Sequence, residues 1–236
     1  MTANIQSVKI IIAVTIIFLF IGCSKAPSLA PTKPVSAVNF LNASPNSQSV
    51  NVLIANAKFN ANPTNYGQST GYIGVYSGLD SIVVNNSITQ ASIIKTTVNF
   101  TAYNNFSVFL INTPAHQDLL LLQDTLNKPN VNLANSALRF VNVSPDAPAV
   151  DLVIKSSGSL VTNKSFKGYS SFAEVQGNQS YTLQVIKTGT QTVLATSNSI
   201  KFQAGTVYLV WLHGLVANTS SADQLTLDIS SLATPQ

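Results

Sequence analysis

A segment near the start of the chain recurs one hundred residues later. Residues 37–54 read AVNFLNASPNSQSVNVLI and residues 137–154 read ALRFVNVSPDAPAVDLVI, gapless and identical at seven of eighteen positions. The match continues more weakly. Tyr72 aligns with Phe172, Val75 with Val175, Phe106 with Tyr208, and 121–124 with 225–228. A repeat this long is a duplication of whole domains, because solenoid units run only about 20–50 residues. The duplication predicts one repeat over 35–127, a linker over 128–135 and a second repeat over 136–232.

Within each repeat the apolar residues recur with period two. Leu138 and Phe140 alternate with Arg139 and Val141, Val150, Leu152 and Ile154 with Asp151 and Val153, and Leu225, Leu227 and Ile229 with Thr226 and Asp228. That alternation is the mark of half-buried strands. Residues 207–212, VYLVWL, are apolar on both sides and predict a central strand covered on both faces, with 106–111 in the same role in the first repeat. Turn residues punctuate these runs as they do in sandwiches. No stretch after residue 34 has the pattern of a long amphipathic helix. The expected class is all-β, two tandem antiparallel β-sandwiches.

The Ser-Pro turns have a local mechanism. Ser144 suits the first turn position, Pro145 presets φ at the second and Asp146 suits the corner. Pro148 cannot donate to a ladder, so the next strand should begin near Ala149. Ser44 and Pro45 repeat the motif, and Asn42 and Asn142 are placed to bond backbone around it. Phe140, Asn142, Ser144, Pro145, Asp146, Pro148, Val150 and Asp151 form the pattern N-x-SPDAPAVD after an aromatic-bearing strand. This resembles domain-of-unknown-function family 4397, seen mostly in bacterial exported and surface proteins. Phe40, Asn42, Ser44, Pro45 and Val50 carry a degraded form. The resemblance implies that the sandwiches are immunoglobulin-like. It implies no activity.

Residues 1–22 read as a lipoprotein signal peptide. Lys9 gives a positive start, and 10–21 is the unbroken run IIIAVTIIFLFI. Twelve residues at about 1.5 Å each reach ~18 Å, short of the ~30 Å hydrocarbon core. A signal-peptide core fits better than a membrane span. The run ends in Phe20, Ile21, Gly22 and Cys23, which resembles the bacterial lipobox, with cleavage between Gly22 and Cys23 and acylation of Cys23. Several acyl chains suffice for stable anchoring. Ser24 after the cysteine resembles the signal for outer-membrane sorting. Residues 23–34, rich in proline, read as an extended tether.

Composition narrows the chemistry. Charged residues make up 8% of the chain and the net charge is +4, with one cysteine and two histidines. Glutamate and arginine occur once each, while Asn, Ser and Thr make up nearly a third. No basic stripe with interleaved aromatics supports nucleic-acid binding. Asp146 and Asp151 face Asn46 and Asn51 in the other repeat, too few carboxylates for a calcium cage. His116 and His213 lack metal-ligand spacing, so no metal and no cofactor is expected. No G-x-S-x-G elbow is present. A hydrolase would require a cleft joining one histidine to a carboxylate and a hydroxyl. The most unusual window is 60–76, NANPTNYGQSTGYIGVY, in which Tyr66 and Tyr76 are candidate ligand contacts and Tyr72 a candidate core residue. Asp80-Ser81-Ile82 and Asp124-Thr125-Leu126 resemble a bacterial O-glycosylation acceptor, at Ser81 and Thr125.

These readings converge on a non-catalytic, lipid-anchored envelope protein of the outer membrane. Its two sandwiches would act as binding or assembly modules for a surface polysaccharide or an envelope protein. The competing expectations are a structural spacer or complex subunit without a ligand of its own and, more remotely, a hydrolase on a sandwich scaffold.

Overall fold

A computed structural model describes residues 33–124, 134–155, 157–218 and 223–232. In the first repeat the strands are β1 (Val35–Asn42), β2 (Val50–Ile54), β3 (Ala57–Lys58), β4 (Ser69–Tyr76), β5 (Gly78–Asn86), β6 (Ser92–Phe100), β7 (Asn105–Ile111) and β8 (Asp118–Gln123). They form two sheets, ordered β4-β1-β7-β8 and β3-β2-β5-β6. The second repeat follows with β9 (Asn135–Asn142), β10 (Val150–Ile154), β11 (Gly158–Lys164), β12 (Ala173–Gln176), β13 (Gln179–Tyr181), β14 (Leu183–Lys187), β15 (Val193–Thr196), β16 (Ile200–Phe202), β17 (Val207–His213) and β18 (Thr226–Leu232). Its sheets are β12-β9-β17-β18 and β11-β10-β14-β15, with β13 and β16 as a separate pair. The all-β, tandem-sandwich class expected from the periodicity holds.

Two details differ from the expectation. One pair in each repeat is parallel: Val38 lies beside Phe106, and Leu138 beside Tyr208. A parallel pair needs a crossover, and here the chain makes it through the strands of the opposite sheet. The last strands are also shifted. Leu121 pairs with Val108 and Ile229 with Val210, so Leu121 corresponds to Ile229 rather than to Leu225. The stretch between β17 and β18, 214–225, is longer than that between β7 and β8, 112–117, a difference that aligning 121–124 with 225–228 absorbs only in part.

The side-chain alternation is resolved by three apolar cores. Val38, Phe40, Phe106, Val108 and Leu110 point into the first sandwich. Leu138, Phe140, Tyr208, Val210 and Leu212 point into the second. The intervening residues Leu41, Phe109, Ile111, Val141, Leu209 and Trp211 meet in a third core. The β4-β1-β7-β8 and β12-β9-β17-β18 sheets therefore pack on each other. The doubly covered strand predicted at 207–212 has its own sandwich on one face and the other repeat on the second. Lys33–Gln236 is accordingly one compact unit. β9 begins at Asn135, inside the expected linker, whose first six residues lie outside the described part.

Candidate functional site

The Ser-Pro turns are tied to backbone in both repeats. The Asn42 amide donates to the Thr64 carbonyl at 3.2 Å and its Oδ1 accepts from Ser44 N at 3.3 Å. Asn142 does the same with the Lys164 carbonyl and Ser144 N. Ser44 and Ser144 each donate at 2.6 Å to the carbonyl just after the central strand, on Asn112 and Gly214. Asp146 accepts from the amides of Val216 and Ala217 at 2.8 and 3.0 Å. Asp151 instead accepts from Asn163 N and Thr188 Oγ1, so the two aspartates serve different loops. Among the described residues no group of His, Cys, Asp and Glu is placed to hold a metal ion.

His213 is buried and has partners that sequence spacing does not show. Its Nδ1 lies 2.8 Å from the Tyr66 hydroxyl and its Nε2 lies 3.0 Å from Asp228. A carboxylate only accepts, so in the neutral ring Nε2 carries the proton and Nδ1 accepts from the phenol. The ring stacks on Trp211 at 4.1 Å and meets Tyr66 edge-on at 5.2 Å. Burial, then the carboxylates of Asp223 and Asp228, push the Tyr66 phenol well above its ordinary pKa. Tyr66 was a candidate ligand contact; its hydroxyl is bonded to His213 and the residue is half-buried. The cluster joins a histidine, a carboxylate and a hydroxyl, but the hydroxyl is a phenol held neutral, the wrong state for a nucleophile. Asp223 also accepts from Asn46 N at 2.8 Å, which strengthens the same junction between repeats. His116 lies apart, exposed in the short turn Pro114–His116.

A second polar knot sits in the third core. Asp124 is fully buried and accepts from Tyr72 at 2.7 Å and Ser107 at 2.6 Å. Arg139, the only arginine, reaches from the second repeat to within 3.5 Å of Asp124 and donates to the Gln123 carbonyl at 2.9 Å. Its guanidinium lies 4.5 Å over the Phe172 ring. Burial outweighs the hydrogen bonds of Ser107 and Tyr72 and the charge of Arg139, and raises the Asp124 carboxyl above its ordinary range. Burial likewise raises the Tyr72 phenol, with the Asp124 charge adding to it. Tyr72 and Phe172 both pack against the third core, as their alignment suggests. Arg139 stood out in the sequence as a charge inside an apolar alternation, the one signal that could have marked this pair.

The remaining window opens a groove. β3 has two residues, whereas β11 in the equivalent place has seven and packs against β9. The short β3 leaves the side of the first sandwich uncovered beside β4, an outer strand of its sheet. Two adjoining depressions of about 480 and 250 Å³ lie along it. The larger is walled by Val35, Ile54, Phe59, Val75 and Tyr76, with Lys58 and Asp80 among its polar groups. The smaller is lined by Asn62, Thr64, Gln68, Ser69 and Thr70, and Ile73 borders both. Tyr76 is exposed, and Lys33 Nζ sits 5.0 Å over its ring. Residues 60–76 thus supply most of the groove.

Ser81 lies half-buried in β5, an inner strand, opposite Thr97. Thr125, Gly22 and Cys23 lie outside the described residues, although the Asp124 that precedes Thr125 is the buried partner of Arg139.

The family described as Domain of unknown function (DUF4397) matches residues 36–153 and 136–234. The chain belongs to this family. The two matched segments overlap over 136–153, the opening of the second repeat. No curated protein matches the chain. A solved structure, CBMbc (family CBM26) from Eubacterium rectale Amy13K in complex with maltoheptaose, is similar over 85% of this chain and 98% of that one. The identity is 9% and the TM-score 0.24, a likeness that carries no argument about what this DUF4397 chain binds.

Proposed function

We propose that this protein is a non-catalytic binding or assembly module of the cell envelope, held in the outer membrane by acyl chains on Cys23. The open side of its first sandwich takes an extended glycan or protein segment. One observation carries the reading: the window 60–76 lines two adjoining depressions on an edge that the second repeat covers with β11. An apolar floor with an amphipathic ring at its mouth and neutral amides and hydroxyls above suits a ligand that is contacted by both kinds of group. The groove carries no constellation for chemistry, and the buried His213 cluster serves the junction between repeats.

A spacer without a ligand would use the same rigid body and leave the groove idle. Asn62→Arg and Ser69→Arg separate the two, since both side chains are exposed on the smaller depression and neither belongs to a core. The acylated chain and the two variants are compared on a glycan array and by retention of purified envelope fractions. A binder loses retention in both variants. Equal retention by all three proteins overturns the groove and leaves the spacer.

A further inference from the structure

Four large apolar residues at one end of the first sandwich are exposed. Val35 is 51% exposed, Tyr76 59%, Leu79 72% and Tyr103 84%. They are neighbours. Val35 pairs with Tyr76, Tyr103 N donates to the Val35 carbonyl at 2.9 Å, and β5 starts one residue before Leu79. Lys33 lies over Tyr76, Lys58 stands beside the groove mouth, and Asp80 is the acid near them.

The second repeat supplies an internal control. Tyr103 N bonds the Val35 carbonyl as Gly205 N bonds that of Asn135, and Ala37 N bonds Asn104 as Ala137 N bonds Thr206. By these bonds and the strand registers, Asn135, Gln176, Ser180 and Gly205 stand where Val35, Tyr76, Leu79 and Tyr103 stand. The charges there are Glu174, bonded to Asn135, and Lys201 opposite Ser180. The same fold is built with polar residues at this end, so the apolar set is not a requirement of the sandwich. Contiguous exposed apolar residues mark an interaction surface.

We propose that this end of the first repeat lies against the lipid surface to which the chain is tethered. The occupant follows from three facts. The sequence leading back to Cys23 joins the body here, ten residues before Lys33. Tyrosine and leucine with flanking lysines are the residues that settle at a membrane interface. Lys33 and Lys58 complement anionic headgroups. β4 rises from Tyr76 to Ser69 at about 3.4 Å per residue, which carries the polar upper groove ~24 Å away from the lipid and keeps it open. The proposal rests on the anchoring reading above.

The test reconstitutes the full acylated chain into vesicles of phosphatidylethanolamine and phosphatidylglycerol. Nitroxide probes are placed at Leu79→Cys and, in a separate protein, at the equivalent Ser180→Cys. Flotation and the mass of the Cys23 adduct report the anchor; the relative accessibility of each probe to oxygen and to a water-soluble nickel chelate reports the surface. The Leu79 probe is expected to be shielded from nickel and the Ser180 probe to be open to it. Adding Tyr103→Ser should shift the Leu79 probe toward water. A chain that floats but leaves both probes equally open to nickel overturns the docked end and spares the anchor. A chain that neither carries acyl groups nor floats overturns both.

Discussion

Phe109 faces the other repeat rather than its own sandwich, so truncating it tests whether the two repeats stand or fall together. Its side chain is fully buried in the third core, with its ring 6.0 Å from that of Trp211. Phe109→Ala removes a large ring from a close-packed site, a change that costs ~3–5 kcal/mol in such settings. Whole domains are stable by only about 5–15 kcal/mol, so the loss is a large fraction of what couples the repeats. The readout is built in. Trp211 is the only tryptophan and lies on the same interface, so its emission reports separation of the sheets, while far-UV circular dichroism reports the strands. In urea the parent protein should show one transition with both probes coincident. In Phe109→Ala the emission should change at lower urea than the circular dichroism, with the midpoints apart. A variant that keeps coincident transitions and loses less than about 1 kcal/mol would refute a shared core.

Further expectations concern the loops, the buried carboxylate and the junction. Gly214 has φ +87, and a Cβ there would run into the Gln224 carbonyl; Gly71 has φ +69 and open space around it. Gly214→Ala should therefore lower the melting temperature clearly more than Gly71→Ala, whose cost is left-handed strain of ~1 kcal/mol. The Asp124 carboxyl is raised by burial, so between about pH 4 and its higher folded value the native state keeps a proton that the unfolded chain has released. Stability from this group is present below pH ~4 and lost as pH rises through that window; urea midpoints should show the slope, and Asp124→Asn should remove it. Tyr66→Phe deletes one hydrogen bond to His213 and should cost about 0.5–1.5 kcal/mol in a urea titration without changing retention by the groove.

Much of the architecture was legible because strand periodicity reports how many faces are buried. VYLVWL at 207–212 announced a strand covered on both sides, and the repeat announced two sandwiches. Periodicity does not say what does the covering. Ala137, Leu209 and Trp211 look like any second core face, and only the packed sheets show that the other repeat supplies it. The candidate site was half legible. The unusual composition of 60–76 pointed to the groove, and Tyr76 stands at its mouth. Tyr66 carried the same signal, and its hydroxyl bonds His213, 147 residues later, a partner that only the fold brings beside it. The pairing of Asp124 with Arg139 was hidden for the same reason, since a contact between repeats leaves no mark in local spacing. The slip in the last strand came from loop length, since the short matching run of leucines and an aspartate at 225–228 attracts the alignment ahead of the true register.

Site-specific photocrosslinking on living cells tests the binding surface most directly. A benzophenone side chain at Ser69, on the exposed upper groove and clear of the lipid-facing end, is compared with one at Tyr169, which stands beside Val141 as Ser69 stands beside Leu41. The groove account predicts a discrete higher-mass adduct from position 69 and none from position 169. Adducts at both positions alike, or at neither, would contradict it.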